Sequence, residues 1–243
     1  MTLAPSIPFN EFSKMNIQVA VKENIFHEIL EFAIAVVWLG IAFGIAIAGG
    51  YKAFSDLPGL RTTIVESLVV VFFAFVFHEL AHRVAARRFG FKAVYHVWIP
   101  GLIIAILASL VGFLFAAPGG VVIQMGQDTP ENRVKLGKSA LAGPIVNMIL
   151  AIVFAVFTFA LVFYVSNTGK SITQVGSWVN TAGNIGIIGI EINSWLALFN
   201  LLPFWNFDGL KVFQWNKKVW TIVFIGSIAL YALMFWAQTA LVG

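Results

Sequence analysis

An H-E-x-x-H pattern contains the residue types and the spacing of a metal-dependent hydrolase, with His78 and His82 at its ends and Glu79 beside the first histidine. On a helix, positions i and i+4 lie on one face, so both imidazoles can reach a single metal ion. Glu79 can then act as general base toward a water on that ion. The pattern predicts a hydrolytic metal centre. The alternative is two histidines hydrogen-bonded to neighbouring helices, with Glu79 paired to Arg83.

A third protein ligand is expected, because catalytic zinc sites have three protein ligands and one position open to water. The chain has no cysteine, so this ligand must be a histidine or a carboxylate. The candidates are Asp56, Asp128, Asp208, Glu66, Glu191, His27 and His96. Asp208 is favoured, because Pro203 interrupts the preceding helix and Gly209 permits sharp backbone geometry that can turn the carboxylate inward. The alternative for Asp208 is an interfacial ion pair with Lys211.

The composition indicates that these residues lie in a membrane protein. The chain of 243 residues is 60% hydrophobic and 11% charged, whereas soluble domains contain about 25% charged residues. This composition excludes a soluble globular protein and predicts a lipid bilayer as the environment. The net charge of +4 comes from short basic clusters between apolar runs, which set membrane orientation. No basic face for nucleic acid is expected.

Several apolar segments are long enough to cross a bilayer core of about 30 Å as helices. A fifth segment, 182–202, ends at the interruption by Pro203. The sequence therefore predicts an all-α polytopic membrane protein with five to six transmembrane helices, preceded by an interfacial N-terminal segment at 1–24. The four clearest spans are 25–50, 63–89, 139–165 and 219–241.

The apolar segment 97–117 could span the membrane by length, but the distribution of positive charge argues against it. Basic clusters occur at 83–92, 133–138 and 211–218. If 97–117 is a re-entrant hairpin, all three clusters lie on the cytoplasmic side, as the positive-inside bias prefers. Such backbone is tolerated where protein or a water-filled cavity satisfies it. We therefore predict a re-entrant hairpin or short β segment near the active site, five full crossings, an internal N-terminus and an external C-terminus.

Three motifs together make the chain resemble the site-2 protease family of intramembrane zinc metalloproteases. Besides the histidine pattern, N-x-x-P-x-x-x-x-D-G occurs at 200–209 and A-G-P-x-x-N at 142–147. The Pro118-Gly119-Gly120 sequence is similar to a glycine-rich stretch that lines the substrate cleft in that family. The resemblance covers about 68–210 and corresponds to a minimal form without appended soluble domains. Leu210 departs from the second glycine that many relatives have there.

The resemblance implies a role for each matched residue. His78, His82 and Asp208 would bind one Zn²⁺ per chain, Glu79 would be the general base, and Asn200 would stabilise the oxyanion. The substrate would be a membrane-tethered protein, cleaved within or near a transmembrane segment in regulated intramembrane proteolysis. We expect a single transmembrane metalloprotease domain over 1–243, with a catalytic core at 63–210. The expected location is the cell membrane, with the active site toward the cytoplasm.

The family resemblance also suggests how the substrate binds, and the sequence leaves three other functions open. The segment 119–124 is predicted to offer a strand edge with which an unwound substrate pairs. A metal transporter could use intramembrane histidine and aspartate, although transport does not require Glu79. A protease of prenylated C-termini and an inactive binding scaffold are the further alternatives. The sequence does not indicate an oligomeric state.

Overall fold

The computed structural model describes residues 25–115, 117–169 and 172–242, and most of these residues are helical. The predicted interfacial segment 1–24 lies outside the described residues. In chain order the elements are α1 (Ile25–Ile47), a 3-10 helix (Gly50–Ser55), α2 (Leu57–Arg88), β1 (Lys92–Val97), α3 (Ile99–Leu110), β2 (Gly119–Gln124), α4 (Pro130–Asn167), α5 (Ile172–Val175), α6 (Ser177–Asn200), α7 (Asp208–Trp215) and α8 (Lys217–Val242).

Five of the described helices, α1, α2, α4, α6 and α8, are long and apolar enough to cross a membrane. They correspond to the five predicted spans. Large apolar side chains point outward from them, such as Phe159 with 72% of its surface exposed and Ile222 with 71%. Such exposure is unfavourable in water but costs nothing against lipid tails. The prediction of an all-α polytopic membrane protein is confirmed.

Local capping chemistry sets where two of the long helices begin. The Asp56 side chain accepts a hydrogen bond from the Gly59 amide (3.2 Å), and α2 starts at Leu57 rather than at the predicted residue 63. Thr129 caps α4 in the same way, through the Asn132 amide (3.2 Å). Side-chain oxygens at the N-cap position satisfy amides that have no partner inside the helix. Both spans therefore extend beyond their purely apolar cores.

The segment between α2 and α4 is a hairpin that contains the predicted short β segment. β1 and β2 pair antiparallel, with Lys92 opposite Gln124 and Val97 opposite Gly119. The amide of Trp98 also donates to the carbonyl oxygen of Pro118 (2.7 Å). The chain therefore leaves the strand pair, runs through the short helix α3, and returns to the point where it left.

The hairpin is anchored to α1 by buried carboxylates along the outer edge of β1. Glu28 accepts a hydrogen bond from the Tyr95 amide, and Glu31 accepts one from the Val97 amide, both at 3.0 Å. Arg83 of α2 pairs with Glu28 at 2.8 Å. Backbone amides at a sheet edge need partners when they are buried, and here α1 supplies them.

Close packing of α4 against α6 depends on glycine. A Cβ at Gly186 would overlap the Thr158 hydroxyl, and a Cβ at Gly189 would overlap the Phe154 ring. Small residues let transmembrane helices approach closely, and van der Waals contact then holds them together in lipid. This contact brings the end of α6 and the start of α7 beside α2.

Candidate metal centre

Three potential ligand atoms converge in the interior, next to the hairpin. Nε2 of His78 lies 3.0 Å from Nε2 of His82, and Oδ2 of Asp208 lies 3.4 and 2.9 Å from these two atoms. All three residues are buried. Tetrahedral zinc with ligands at about 2.0–2.1 Å requires ligand atoms about 3.3 Å apart. Within the described part of the chain, this is the one group of histidine and acidic side chains spaced to hold a metal.

The two histidines and the aspartate come from different elements for simple geometric reasons. His78 and His82 lie one turn apart on the same face of α2. Asp208 begins α7, after a turn that reverses the chain at the end of α6. Gly209 is required in this reversal, because a Cβ there would overlap the Leu201 backbone and lie 2.6 Å from the Leu202 carbonyl oxygen. The predicted kink therefore directs the carboxylate inward.

Outer hydrogen bonds orient both imidazoles toward the centre. Nδ1 of His82 contacts the Ser139 carbonyl oxygen (2.8 Å), and Nδ1 of His78 contacts Oδ1 of Asn147. The Asn147 amide is oriented because its Nδ2 donates to Asn193 Oδ1 (2.9 Å) and to a backbone carbonyl of α2. Each Nδ1 must therefore carry the proton, and each Nε2 presents its lone pair to the other. Such outer partners are typical of metal-binding histidines.

The donor set fits a zinc ion. Two imidazole lone pairs and a carboxylate oxygen meet in a buried space, and they repel each other unless a cation lies between them. Zinc accepts nitrogen and oxygen ligands in this combination. Lys211 contacts the other oxygen of Asp208, Oδ1 (3.1 Å), and leaves Oδ2 facing His78 and His82.

Gly143 of α4 leaves the space that an ion and its open coordination position need. A Cβ at this residue would lie 2.6 Å from Nε2 of His78 and closer still to Nε2 of His82. Any side chain would therefore compete with a bound ion. The residues present fit a metal in both chemistry and space.

Glu79 and Asn200 border a small cavity beside the histidines. Oε2 of Glu79 accepts a hydrogen bond from the Val121 amide of β2 (2.9 Å). The cavity wall also includes His78 and Gly119. Nδ2 of Asn200 donates to the Leu196 carbonyl of its own helix (3.0 Å). Both predicted catalytic side chains therefore lie at the same cavity as the first histidine.

These contacts show where each alternative partner and ligand from the sequence lies. Arg83 pairs with Glu28 and not with Glu79. The ion pair between Lys211 and Asp208 is present, but it uses a different carboxylate oxygen from the one that faces the histidines. The other candidate ligands lie elsewhere: Asp56 caps α2, Glu66 accepts from Asn184, Asp128 pairs with Arg133, Glu191 lines a separate cavity, and His27 and His96 contact Glu31.

The surface pair at the start of α4 is an ordinary exposed ion pair. Arg133 contacts both carboxylate oxygens of Asp128 at 2.7 Å. Hydrogen bonds from Arg133 lower the pKa of the Asp128 carboxyl below its usual value. Because the pair is exposed, we assign it no role in the site.

Three residues near the metal centre make contacts there that their sequence context did not predict. Asn147, which the sequence identified only as the end of the A-G-P-x-x-N run, contacts His78 directly. Asn193 orients Asn147, and Gly143 leaves room for the ion. The A-G-P-x-x-N run was the available signal, because an asparagine in an apolar helix one turn after a glycine marks a polar contact between close helices.

Comparison with known proteins agrees with this geometry. The model of peptidase family M50 matches residues 66–189, a range that includes His78, Glu79 and His82. The chain is also 38% identical over 211 residues to "Putative zinc metalloprotease MJ0611" of Methanocaldococcus jannaschii, covering 86% of this chain and 95% of that protein. No solved structure matches the chain. With five membrane-spanning helices and these matches, the chain is a multi-pass membrane metalloprotease and belongs to peptidase family M50, the site-2 protease family.

Proposed function

We propose that the protein binds one Zn²⁺ through His78, His82 and Asp208 and hydrolyses peptide bonds within or near transmembrane segments of membrane-tethered proteins. The observation that carries this proposal is the convergence of three ligand atoms beside Glu79 inside a membrane-spanning bundle. A bound Zn²⁺ lowers the pKa of a water toward neutrality and polarises the scissile carbonyl. The proposed domain is a single unit over 1–243, with its catalytic core at 63–210.

Glu79 moves the proton during hydrolysis. Its carboxylate borders the cavity next to His78 and can accept a proton from the attacking water. The hydroxyl adds to the carbonyl carbon, the C–N bond breaks, and the same proton passes from Glu79 to the leaving amine. Asn200, on the same cavity wall, supplies an N–H donor for the developing oxyanion. Its Nδ2 has to turn from Leu196 to do so.

The outer edge of β2 is the proposed binding site for the unwound substrate. In an antiparallel pair the backbone groups of alternate residues face the partner strand. The Val121 amide faces away from β1, toward Glu79, so Ile123 also faces outward and Val122 faces Val94. Helical peptide bonds resist proteolysis, and strand addition at this edge would hold the substrate extended.

The strand proposal is tested with Ile123→Pro, which removes an outward amide without touching the ladder to β1. We expect cleavage of a membrane-spanning reporter to fall, while bound zinc stays at the wild-type level. Ile123→Ala is the matched control and should cleave normally, because it keeps the amide. Wild-type cleavage by Ile123→Pro would contradict strand addition here.

The proposed location is the cell membrane, with the metal centre toward the cytoplasm. The hairpin returns to its own starting side, so the basic clusters at the end of α2, the start of α4 and the α7–α8 region share one side of the bundle. Positive residues favour the cytoplasmic side. Single cysteines at Lys138 and Ser55 test this in cells with a membrane-impermeant maleimide. Only the second should react from outside.

The decisive experiment compares wild type with Glu79→Gln at equal zinc occupancy, using a purified protein and a membrane-spanning reporter. We expect cleavage to fall by about 10²–10⁴-fold, the usual contribution of a general base, with zinc retained. Equal cleavage by both proteins would contradict the assignment of Glu79. If neither cleaves any of a panel of reporters while zinc is bound, the proposal of intramembrane hydrolysis fails.

A further inference from the structure

A second and larger cavity lies outward of the metal centre and has no part in the mechanism above. Its volume is about 160 Å³, roughly five times the volume a water occupies in the liquid. Its walls come from the end of α1, from the segment that follows α3, and from the middle of α6 and α8. The lining residues are Ala46, Ile47, Gly112, Phe113, Leu114, Glu191, Trp195 and Tyr231.

The cavity contains a carboxyl group without a partner. Glu191 makes no hydrogen bond or ion pair to any residue that the structure describes. The other acidic side chain inside these spans and outward of the metal centre, Glu66, accepts a hydrogen bond from Asn184 (3.1 Å). Ionisable groups inside a bilayer are costly, usually pair with other polar groups, and mark functional sites. We therefore expect the carboxyl group of Glu191 to bind a cationic or hydrogen-bonding partner.

Aromatic rings line the same cavity as this carboxyl group. The ring of Trp195 lies 5.8 Å from the ring of Phe113 and 5.8 Å from that of Tyr231, measured between centroids. Trp195 is held in place because its Nε1 donates to the Leu114 carbonyl oxygen (2.8 Å). Aromatic faces together with one carboxylate form the arrangement that recognises ammonium and guanidinium groups.

We propose that this cavity is a specificity subsite for a basic side chain in the transmembrane segment of the substrate; this rests on the proposed function. Glu191 and Asn200 both lie on α6, nine residues apart, or about 13.5 Å along the helix. The returning segment of the hairpin connects the two cavities, because Phe113 and Leu114 line this one while Pro118 and Gly119 line the one at the metal centre. A substrate that pairs with β2 and continues outward along this segment therefore reaches the cavity. An extended chain covers this distance in about four residues and a helical one in about nine. The selected lysine or arginine lies about four to nine residues from the cleaved bond.

The first test measures cleavage of two reporters that differ at one position. One carries lysine and the other leucine, scanned from four to nine residues from the cleaved bond on either side. At the best position, the kcat/KM of wild type for the lysine reporter should exceed that of Glu191→Gln by roughly tenfold or more. The leucine reporter should be cleaved equally by both variants. Glu191→Lys should in turn prefer a reporter with glutamate at that position.

A result in which Glu191→Gln cleaves lysine and leucine reporters with the wild-type ratio at every position overturns the proposal. Equal loss with both reporters also overturns it, because that result indicates a structural role. Cleavage of the leucine reporter by wild type tests the proposed function separately, because this cleavage does not depend on the cavity.

The second test measures how close the substrate comes to the cavity and needs no turnover. The chain has no native cysteine, so only the introduced cysteines can crosslink. In Glu79→Gln protein, a single cysteine replaces Ile47, a lining residue outside the aromatic group, and is oxidised in the presence of reporters with one cysteine next to the scanned position. We expect severalfold more crosslinking for the lysine reporter, and loss of this preference when Glu191→Gln is added. Equal crosslinking of both reporters in the presence of Glu191 overturns the proposal, whether or not the protein cleaves them.

Discussion

Two clusters of buried ionisable groups lie on opposite edges of the same hairpin, and they differ in how their charges are satisfied. On the β1 side, Glu28 and Glu31 each accept a backbone amide, and Arg83 neutralises Glu28. On the β2 side, two imidazoles and the carboxylate of Asp208 direct lone pairs at one another. In the first cluster both carboxylates accept hydrogen bonds within the protein, and of the buried atoms of these three side chains only Nε of Arg83 lacks a partner among the described atoms. The second presents its lone pairs at a position that a cation can occupy.

This difference separates a structural cluster from a functional one without reference to relatives. Burial and charge density are similar at both sites, so neither property alone identifies the active centre. What distinguishes them is the count of donors against acceptors. The α1 cluster holds the hairpin in position, and the centre on α2 uses that position. Substitutions should therefore affect folding in one cluster and metal binding in the other.

The largest effect is expected from His82→Ala, which breaks the functional cluster. Removing one of three ligands should eliminate stoichiometric zinc and reduce reporter cleavage to the uncatalysed background. Zinc is measured by atomic absorption on protein that elutes as the folded species in gel filtration. His27→Ala, at an exposed histidine of the other cluster, should keep zinc and activity. Full zinc in His82→Ala would show that the ligand set is wrong.

Glu28→Leu should break the structural cluster and leave the metal centre intact. It leaves Arg83 and the Tyr95 amide without their partner, and loss of one member of a buried pair typically costs about 3–5 kcal/mol of the free energy of unfolding. Denaturant unfolding in detergent measures this loss, and zinc content per folded molecule should not change. Glu131→Leu, in an exposed pair with Lys135, should leave the free energy of unfolding close to the wild-type value. A Glu28→Leu protein of normal stability but without zinc would reverse our assignment of the two clusters.

A smaller effect should follow from Asn147→Leu, which keeps all three ligands but removes the partner of His78 Nδ1. Loss of such an outer partner weakens metal binding by about 10–100-fold. Competition with a zinc chelator measures the affinity. Asn167→Leu, at an exposed asparagine near the end of the same helix, is the control. Equal affinities for the two variants would mean that Asn147 serves helix packing alone.

Much of the architecture and the proposed ligand set could be predicted from the sequence. The five spans follow from segment length and hydropathy, and the charge distribution predicted the re-entrant hairpin between them. The spacing of His78 and His82 suffices to place them on one face, because both lie on one helix of fixed rise and rotation. Asp208 required the family resemblance, since Lys211 offered it an equally simple partner.

Contacts between elements were decided only by the tertiary structure. Which backbone amides of β2 face outward depends on its pairing with β1, because a shift of one residue reverses every position. Asn147, Gly143 and Glu191 all lie in apolar helices, and their local sequence does not say which neighbour they face. The crossing of α2, α4 and α6 directs the first two toward the histidines and leaves the third in a separate cavity. Spacing along one helix is a local property, whereas the partner across a helix contact depends on how the whole bundle packs.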